Sequence, residues 1–583
     1  MTDPGAATDG VRRLDVGRGN LVAVAVDPVR GAALVTAAGA LVVGPDEVAG
    51  TVAALETDTR PRWLWWSNAT AATLVDIGVR VATCWDIAAV HRLLVGGWAA
   101  TPDLVWAEVH DLDIGAMPST GPLDLFSQAA QDLGDDGDPD EPVRPDGYLR
   151  PDWVSGGWSH EPDRIVRWAA LTLTVAAAQD QRLARLADPA RARATARSES
   201  AAELLCAELA ADGLPVDRAA MEAVIGGFVG PRPRASGDAD AERRRRDNEV
   251  LRHVPADPPF DLRSPGQVKS LLRRVGIEVP DTRAWRLEGL RDAHPVIEPL
   301  LAWRKAERVE TTYGYRWLDE HVGPDDRLRG EWSGSDGAAG RMTASAGLHN
   351  LPADLRPGIV AEPGHVFVRA DLGQIEPRVL AVVSGDGALA EASREDDLYA
   401  LVAQQLDVDR PTAKVAMLGA MYGQTSGRGA EVQHGLRTAY PVAMRYLEDA
   451  DRSGQGGRAI RTYGGRLIRF GSMNTTAMSE REARGRAGAM GRYGRNAMVQ
   501  GAAAELFKVW AATVRARAAP LDARIVLCLH DELLVHAPAE RGDDVAALVL
   551  DALAEAAHRW APGRPVRFVA DIRTITCWAD AKD

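Results

Sequence analysis

The stretch VFVRADLGQIEPRVLAVV, Val366 to Val383, joins a strand-like apolar run to a helix-like one, with Asp371 at the junction. The first part reads as a strand that delivers Asp371, and a helix is expected to begin just after it. A carboxylate at the end of a strand is held by sheet geometry, which suits a metal ligand. Read alone, the same residue also satisfies what a helix N-cap demands.

A second stretch repeats the device. In RIVLCLHDELLVHAP, Arg524 to Pro538, two apolar strands flank His530, Asp531 and Glu532, which predicts a tight hairpin with acids at its tip. Such acids commonly do no more than face solvent. The two stretches together say more. Phosphoryl transfer by two divalent ions needs carboxylates from separate segments, converging so that the ions sit about 3.5–4 Å apart. Magnesium favours such hard oxygen ligands.

Between these stretches lie two helical patterns. In DRPTAKVAMLGAMYGQ, Arg410, Lys414, Leu418 and Tyr422 recur every four residues and so share one helix face. Its cations can hold a triphosphate, and Leu418 and Tyr422 can pack on a sugar and a base. In RYGRNAMVQGAAAELFKVW, Arg492, Asn496 and Gln500 also recur every four residues. Such a row can donate to the minor-groove acceptors present on every base pair. Each pattern alone also describes an ordinary amphipathic or polar helix.

The chain has 583 residues, enough for several cores, with 46% hydrophobic and 26% charged residues, as in globular proteins. No apolar run approaches the ~20 residues that span a bilayer. The N-terminus lacks the apolar core of a signal peptide. Cys84, Cys206, Cys528 and Cys577 show no metal-site or redox spacing, so reduced thiols and a cytoplasmic, nucleoid-associated location are expected. The net charge of −14 argues mildly against a nucleic-acid partner, but a basic cleft can sit on an acidic protein. Two segments read as flexible punctuation, Asp132–Pro142 and roughly Pro231–Pro255, the latter containing the Arg243–Arg246 run. Before them, LVAVAV and ALVTAA read as strands and DIAAVHRLL as a helix, which predicts an α/β domain over 1–195.

The order of these motifs resembles the family A DNA polymerases of the bacterial polymerase I type. Motif A is similar to Asp371–Arg378, motif B to Arg410 through Gly423, and motif C to His530-Asp531-Glu532. GRMTASAGLHNLP, from Gly340, resembles the segment ahead of motif A. FDLRSPGQVKSLL, from Phe260, and Thr312-Tyr313 resemble the approach to the thumb. The resemblance covers about 200–583. It implies α/β and α+β architecture: an RNase H-like, exonuclease-type domain over 1–195, then a right-hand polymerase over 196–583. The thumb falls near 290–340, the palm near 350–405 and 500–583, and the fingers near 406–499.

The resemblance also implies roles. Asp371, Asp531 and the Leu372 carbonyl would hold two Mg2+ ions, for which Mn2+ can substitute, with Glu532 in support. Lys414 would grip the triphosphate and protonate pyrophosphate. Arg410, Leu418, Tyr422, Gln374 and Glu376 would line the dNTP site, with Glu376 excluding a ribose 2′-hydroxyl. Arg341, Arg492, Asn496, Gln500 and His530 would meet primer-template DNA. The expected protein is a monomer that extends primers in repair or gap filling. Leu372, Pro377 and Leu418 depart from the family's usual Tyr, Leu and aromatic residue, and the fingers after Gly423 look shortened.

At the exonuclease position, Asp27 in VAVAVDPV is followed by Val29 where that activity needs an acid. WAALTLTVAAAQD, from Trp168, has no acid before Asp180, and Asp86 reads as a remnant. A degenerate, inactive exonuclease fold is expected. The competing readings are a retained exonuclease, a polymerase-shaped DNA-binding protein without catalysis, and a single-subunit RNA polymerase.

Overall fold

Alternation in LVAVAVD sets the first sheet. Val22, Val24 and Val26 point to one face of strand β1 (Leu21–Asp27), and Ala23 and Ala25 to the other. The computed structural model describes residues 14–118, 137–235, 237–255, 259–423, 428–471 and 479–582. Beside β1 lie β2 (Gly31–Val35), β3 (Ala40–Val43), β4 (Arg62–Trp65) and β5 (Cys84–Asp86), in the order β3-β2-β1-β4-β5. The β1–β2–β3 pairs are antiparallel and the β1–β4–β5 pairs parallel. One face packs Trp63 and Trp65 with Leu204, and the other packs Leu64 and Trp66 with Trp168 and Val175. Apolar residues on both faces are what a sheet covered on both sides requires. Helix α1 (Ile87–Val95) follows β5, capped by Asp86. WAALTLTVAAAQD lies within α2 (Pro162–Ala184). The boundary expected at residue 195 is corrected by α3 (Pro189–Asp212), which runs unbroken through it. A continuous helical hydrogen-bond ladder leaves no linker there.

The chain forms two compact units, Met1–Asp212 with Glu331–Thr343 and Val366–Thr574, and Gly213–Gly330 with Ala344–His365 and Ile575–Asp583. In the first, a second sheet joins β6 (His365–Gly373), β7 (Arg524–Leu529), β8 (Glu532–Pro538) and β9 (Val569–Ile575) in the order β7-β8-β6-β9. Asp371 lies inside β6, two residues before its end, and the helix α4 (Ile375–Ser384) starts four residues after it. Helices α4, α5 (Leu398–Leu406), α6 (Arg410–Tyr422) and α7 (Pro441–Gln455) share a core of Leu380, Leu398, Met417 and Leu447. The helix α8 (Glu480–Ala518) is 39 residues long and opens on a capping box between Ser479 and Glu482. Its buried half packs on α9 (Gly542–Trp560), where Trp510 Nε1 donates to the Val549 carbonyl at 3.0 Å.

The second unit corrects the expectation that Pro231–Pro255 is flexible. Asp238–Leu251 is a helix, and Arg246 within the arginine run is buried. Arg243 and Arg246 both pair with Glu310, and Arg246 donates to the Val229 carbonyl at 2.7 Å. The run reads as a solvated surface from composition alone because its partner lies more than sixty residues away. Residues 132–136 of the other expected linker lie outside the described residues. Asp140 and Glu141 are held by Arg164 and Arg167. Among the described residues no helix is long and apolar enough to cross a membrane.

Candidate active site

The hairpin β7–β8 turns at His530 and Asp531, with Leu529 opposite Glu532. His530 takes a left-handed φ of 48°, uncommon for a residue with a side chain. The turn is tied to β6, where the Leu372 amide donates to the Asp531 carbonyl at 2.9 Å. This bond places motif A and motif C side by side. Burial raises the pKa of Asp371, Arg369 opposes that rise, and Glu532 and Asp571 add to it. Asp531 is pushed up to about 7, first by burial and then by the Asp371 charge. Both rises are the signature of like charges drawn together in a partly desolvated cluster, with Glu532 and Asp571 acting on Asp371 and Asp371 acting on Asp531.

An open cavity of about 390 Å³ borders this cluster, lined by Arg341, Gln374, Glu376, Lys414, Leu418, Tyr422, Gln500, His530 and Asp531 among others. The helix α6 contributes Lys414, Leu418 and Tyr422, as their spacing predicts. It starts on an N-cap from Asp409, whose carboxylate accepts from the Thr412 amide at 2.7 Å. It ends at Gly423, in the left-handed conformation at φ 67°. A Cβ on Gly423 would also stand 2.8 Å from Arg492 Cγ, so both conformation and space require glycine. Residues 424–427 and the shortening expected there lie outside the described residues.

Lys414 is exposed and makes no hydrogen bond or ion pair with any described residue. Arg410 does not line the cavity. Its guanidinium is paired with Asp397 and lies 5.9 Å from the Tyr399 ring centroid. The Gln374 amide is likewise engaged, donating to Asp397 at 2.8 Å and accepting from the Leu398 amide at 2.8 Å. The Tyr422 hydroxyl donates to Glu376 at 2.7 Å, which fixes the carboxylate against the cavity wall. Burial, then this carboxylate, raises the Tyr422 pKa. On α8, Arg492 is exposed, Gln500 lines the cavity, and Asn496 Oδ1 is buried without a hydrogen-bond partner among the described residues.

Two arginines in or just before motif A hold its backbone and carboxylates. Arg378 is fully buried and donates to the carbonyls of Gly373, Ser393, Glu395, Asp396 and Arg567, pinning the backbone around α4. Arg369 donates to Asp371, to Glu532 at 2.9 Å and to Asp571 at 3.0 Å. Its two-residue spacing from Asp371 on a strand was the available signal, because such residues share a face.

The acids beside the N-terminal sheet are arranged otherwise. Asp27 accepts from the amides of Val29 and Arg30 at 2.9 and 3.0 Å, which makes it a turn residue. Asp86 is fully buried and accepts from Trp65 Nε1 at 2.9 Å and the Ala89 amide at 2.8 Å.

The polymerase domain of Pol1 from M. smegmatis, solved with DNA primer-template and dNTP, matches with a TM-score of 0.70 and 21% identity, covering 100% of this chain and 99% of that one. That likeness defines the fold as that of a polymerase domain. The profile of DNA polymerase family A matches residues 235–580, and the chain belongs to that family. It is 31% identical over 355 residues to the thermostable DNA polymerase I of Thermus thermophilus, covering 54% of this chain and 42% of that protein. It is 27% identical over 381 residues to DNA polymerase I of Deinococcus radiodurans, covering 58% and 38%. The chain thus spans about two fifths of the length of the curated relatives it matches.

Proposed function

We propose that this protein adds deoxynucleotides to the 3′ end of a primer under the direction of a DNA template, without proofreading. The observation that carries the reading is the single cavity where Asp531, Lys414 and the Glu376–Tyr422 pair meet, beside Asp371. The primer-template and dNTP of the M. smegmatis relative support the same substrates here.

The donor set fits a divalent metal. Asp371 and Asp531 are hard oxygen donors from separate segments, joined at the backbone, with charges that burial and proximity leave under-compensated. We assign to them, with the Leu372 carbonyl, two Mg2+ ions replaceable by Mn2+. When bound, such ions supply charge neutralisation at the attacking and leaving oxygens.

The remaining work falls to side chains. Lys414, unpaired and at the cavity, neutralises the triphosphate and donates a proton to the departing pyrophosphate. Arg410 joins it only by leaving Asp397. Glu376, held by Tyr422, occupies the space a ribose 2′-hydroxyl needs, and Leu418 packs against the nucleotide. Gln374 acts by joining α4 to α5. His530 and Arg341 face the primer end, and Arg492, Asn496 and Gln500 meet the minor groove. Glu532 supports the ligands. The absence of proofreading rests on Asp27, one of whose oxygens is taken by two backbone amides, and on Asp86, whose two oxygens are taken by a backbone amide and an indole. The sheet order β3-β2-β1-β4-β5 supports an RNase H-like ancestry for that domain. A monomer acting in gap filling or repair near the nucleoid is the cellular reading that follows.

The test is primer extension by the purified chain with four dNTPs and Mg2+. Template-dependent extension is expected. Tight primer-template binding without extension, in Mg2+ and in Mn2+, would leave the DNA-binding reading in its place.

A further inference from the structure

The acidic cluster has a built-in cation. Arg369 is almost fully buried, and its guanidinium reaches Asp371, Glu532 and Asp571, which stand on three neighbouring strands, β6, β8 and β9. It meets one oxygen of each: Oδ2 of Asp371, Oε1 of Glu532 and Oδ2 of Asp571. Asp371 Oδ1 has no hydrogen bond to any described residue. The guanidinium thus grips the cluster from one side and leaves a ligating oxygen on the other.

Two physical consequences follow. Without a cation, converging half-buried carboxylates repel one another, and the planar fork of an arginine is suited to bridge several at once. The same fixed positive charge, one hydrogen bond from Asp371, opposes the arrival of a second cation on that carboxylate, because Coulomb energy at this range is large in a partly desolvated site.

We propose that Arg369 is an intramolecular counter-ion, a positioning residue that holds Asp371 and Glu532 in register without metal and lowers the site's own affinity for divalent ions. A divalent ion is then bound weakly until an anionic ligand arrives with charge of its own. This inference rests on the two-metal reading above and deepens it.

The test is Mn2+ binding to the full chain, without DNA or nucleotide, followed by electron paramagnetic resonance. Arg369→Gln is expected to bind Mn2+ at least about tenfold more tightly than the wild type. Arg369→Lys, which keeps the charge, is expected to stay close to the wild type. Unchanged or weaker binding by Arg369→Gln overturns the proposal while leaving the two-metal reading standing. No Mn2+ binding by either protein removes both. If Arg369→Gln does not fold in EDTA, Mn2+ must restore native circular dichroism, since the ion compensates the same carboxylates. A variant that stays unfolded with Mn2+ overturns the proposal.

Discussion

Both sheets of the first unit deliver acids at or near strand ends, and they use them in opposite ways. In the N-terminal sheet, one oxygen of Asp27 closes a turn on the Val29 and Arg30 amides, and Asp86 caps α1 with both oxygens matched to donors. In the second sheet, Asp371 and Asp531 are brought together by a backbone bond, and both have raised pKa values, that of Asp531 in part through the Asp371 charge. An acid beside a strand end is therefore no signal of chemistry. What distinguishes the two regions is what the acids border: Asp86 is sealed among its donors, whereas Asp531 lines an open cavity with Asp371 beside it.

The comparison breaks first at its largest expected effect. Asp371→Ala and Asp531→Ala should each reduce primer extension at least about a hundredfold, since a group that stabilises transition-state charge is worth that much in a preorganised site. Primer-template binding should persist, as measured by fluorescence anisotropy. Near-normal extension by either variant would put the two sheets on the same footing.

Next in size is Lys414→Ala. A charge-assisted phosphate contact is worth about 1.5–3 kcal/mol, so single-nucleotide insertion should lose at least about tenfold in kcat/KM. An unchanged value would mean that the exposed ammonium faces away from the nucleotide.

Glu376 sharpens the contrast, because it is a carboxylate matched to one donor, Tyr422, yet facing the cavity. Glu376→Ala should raise ribonucleotide use relative to deoxynucleotide several-fold, up to about tenfold for each 1.36 kcal/mol of lost exclusion. Matched rNTP and dNTP insertion kinetics read this. Equal wild-type efficiency for both sugars would reopen the RNA polymerase reading.

A smaller effect, on stability rather than rate, belongs to the N-terminal sheet. Asp86→Ala leaves the Trp65 indole and the Ala89 amide without acceptors, at about 1–3 kcal/mol, with extension by folded protein unchanged. Burial, then the charge of Glu203, lifts Asp86 from 3.8 to about 7. A carboxyl whose pKa is raised on folding favours the native state at low pH and loses that contribution as pH rises. Wild-type stability relative to Asp86→Asn should thus fall between about pH 4 and 7, as urea titrations at several pH values would show. A pH-independent difference would place the Asp86 pKa near that of a free carboxyl.

The smallest effect expected is none. A mismatched, labelled primer incubated with Mg2+ and no nucleotides should stay full length in the wild type and in Asp27→Ala alike. Progressive 3′ shortening that the substitution abolishes would show that the N-terminal acids do chemistry after all.

What could be read from sequence follows the same line between local and convergent. The helix α6 was legible from its four-residue row, because Arg410, Lys414, Leu418 and Tyr422 all lie within one segment. The hairpin at His530 was legible for the same reason. Arg369 was passed over inside an apolar run, since its meaning depends on Glu532 and Asp571, more than 160 residues away. The Asp238–Leu251 helix was misread because its arginines meet Glu310, which no local pattern reveals. Arg410 and Gln374 were placed on the nucleotide by motif, and only the fold shows both engaged with Asp397.

The long helix α8 has one more consequence. Its C-terminal half buries Lys508 against Glu199 at 2.6 Å and holds Arg515 in a fork on Glu208, both acceptors standing on α3. Arg515 also reaches the carbonyls of Val81 and Ala82. Residues far upstream are thus counter-charges for the rod that carries Gln500 to the cavity. Removing one partner of a buried pair costs about 3–5 kcal/mol, so a deletion that took away α3 would strand a lysine in apolar surroundings. The upstream helix is thus a dependency of α8 rather than a detachable cassette: its excision is expected to bring down the rod it braces.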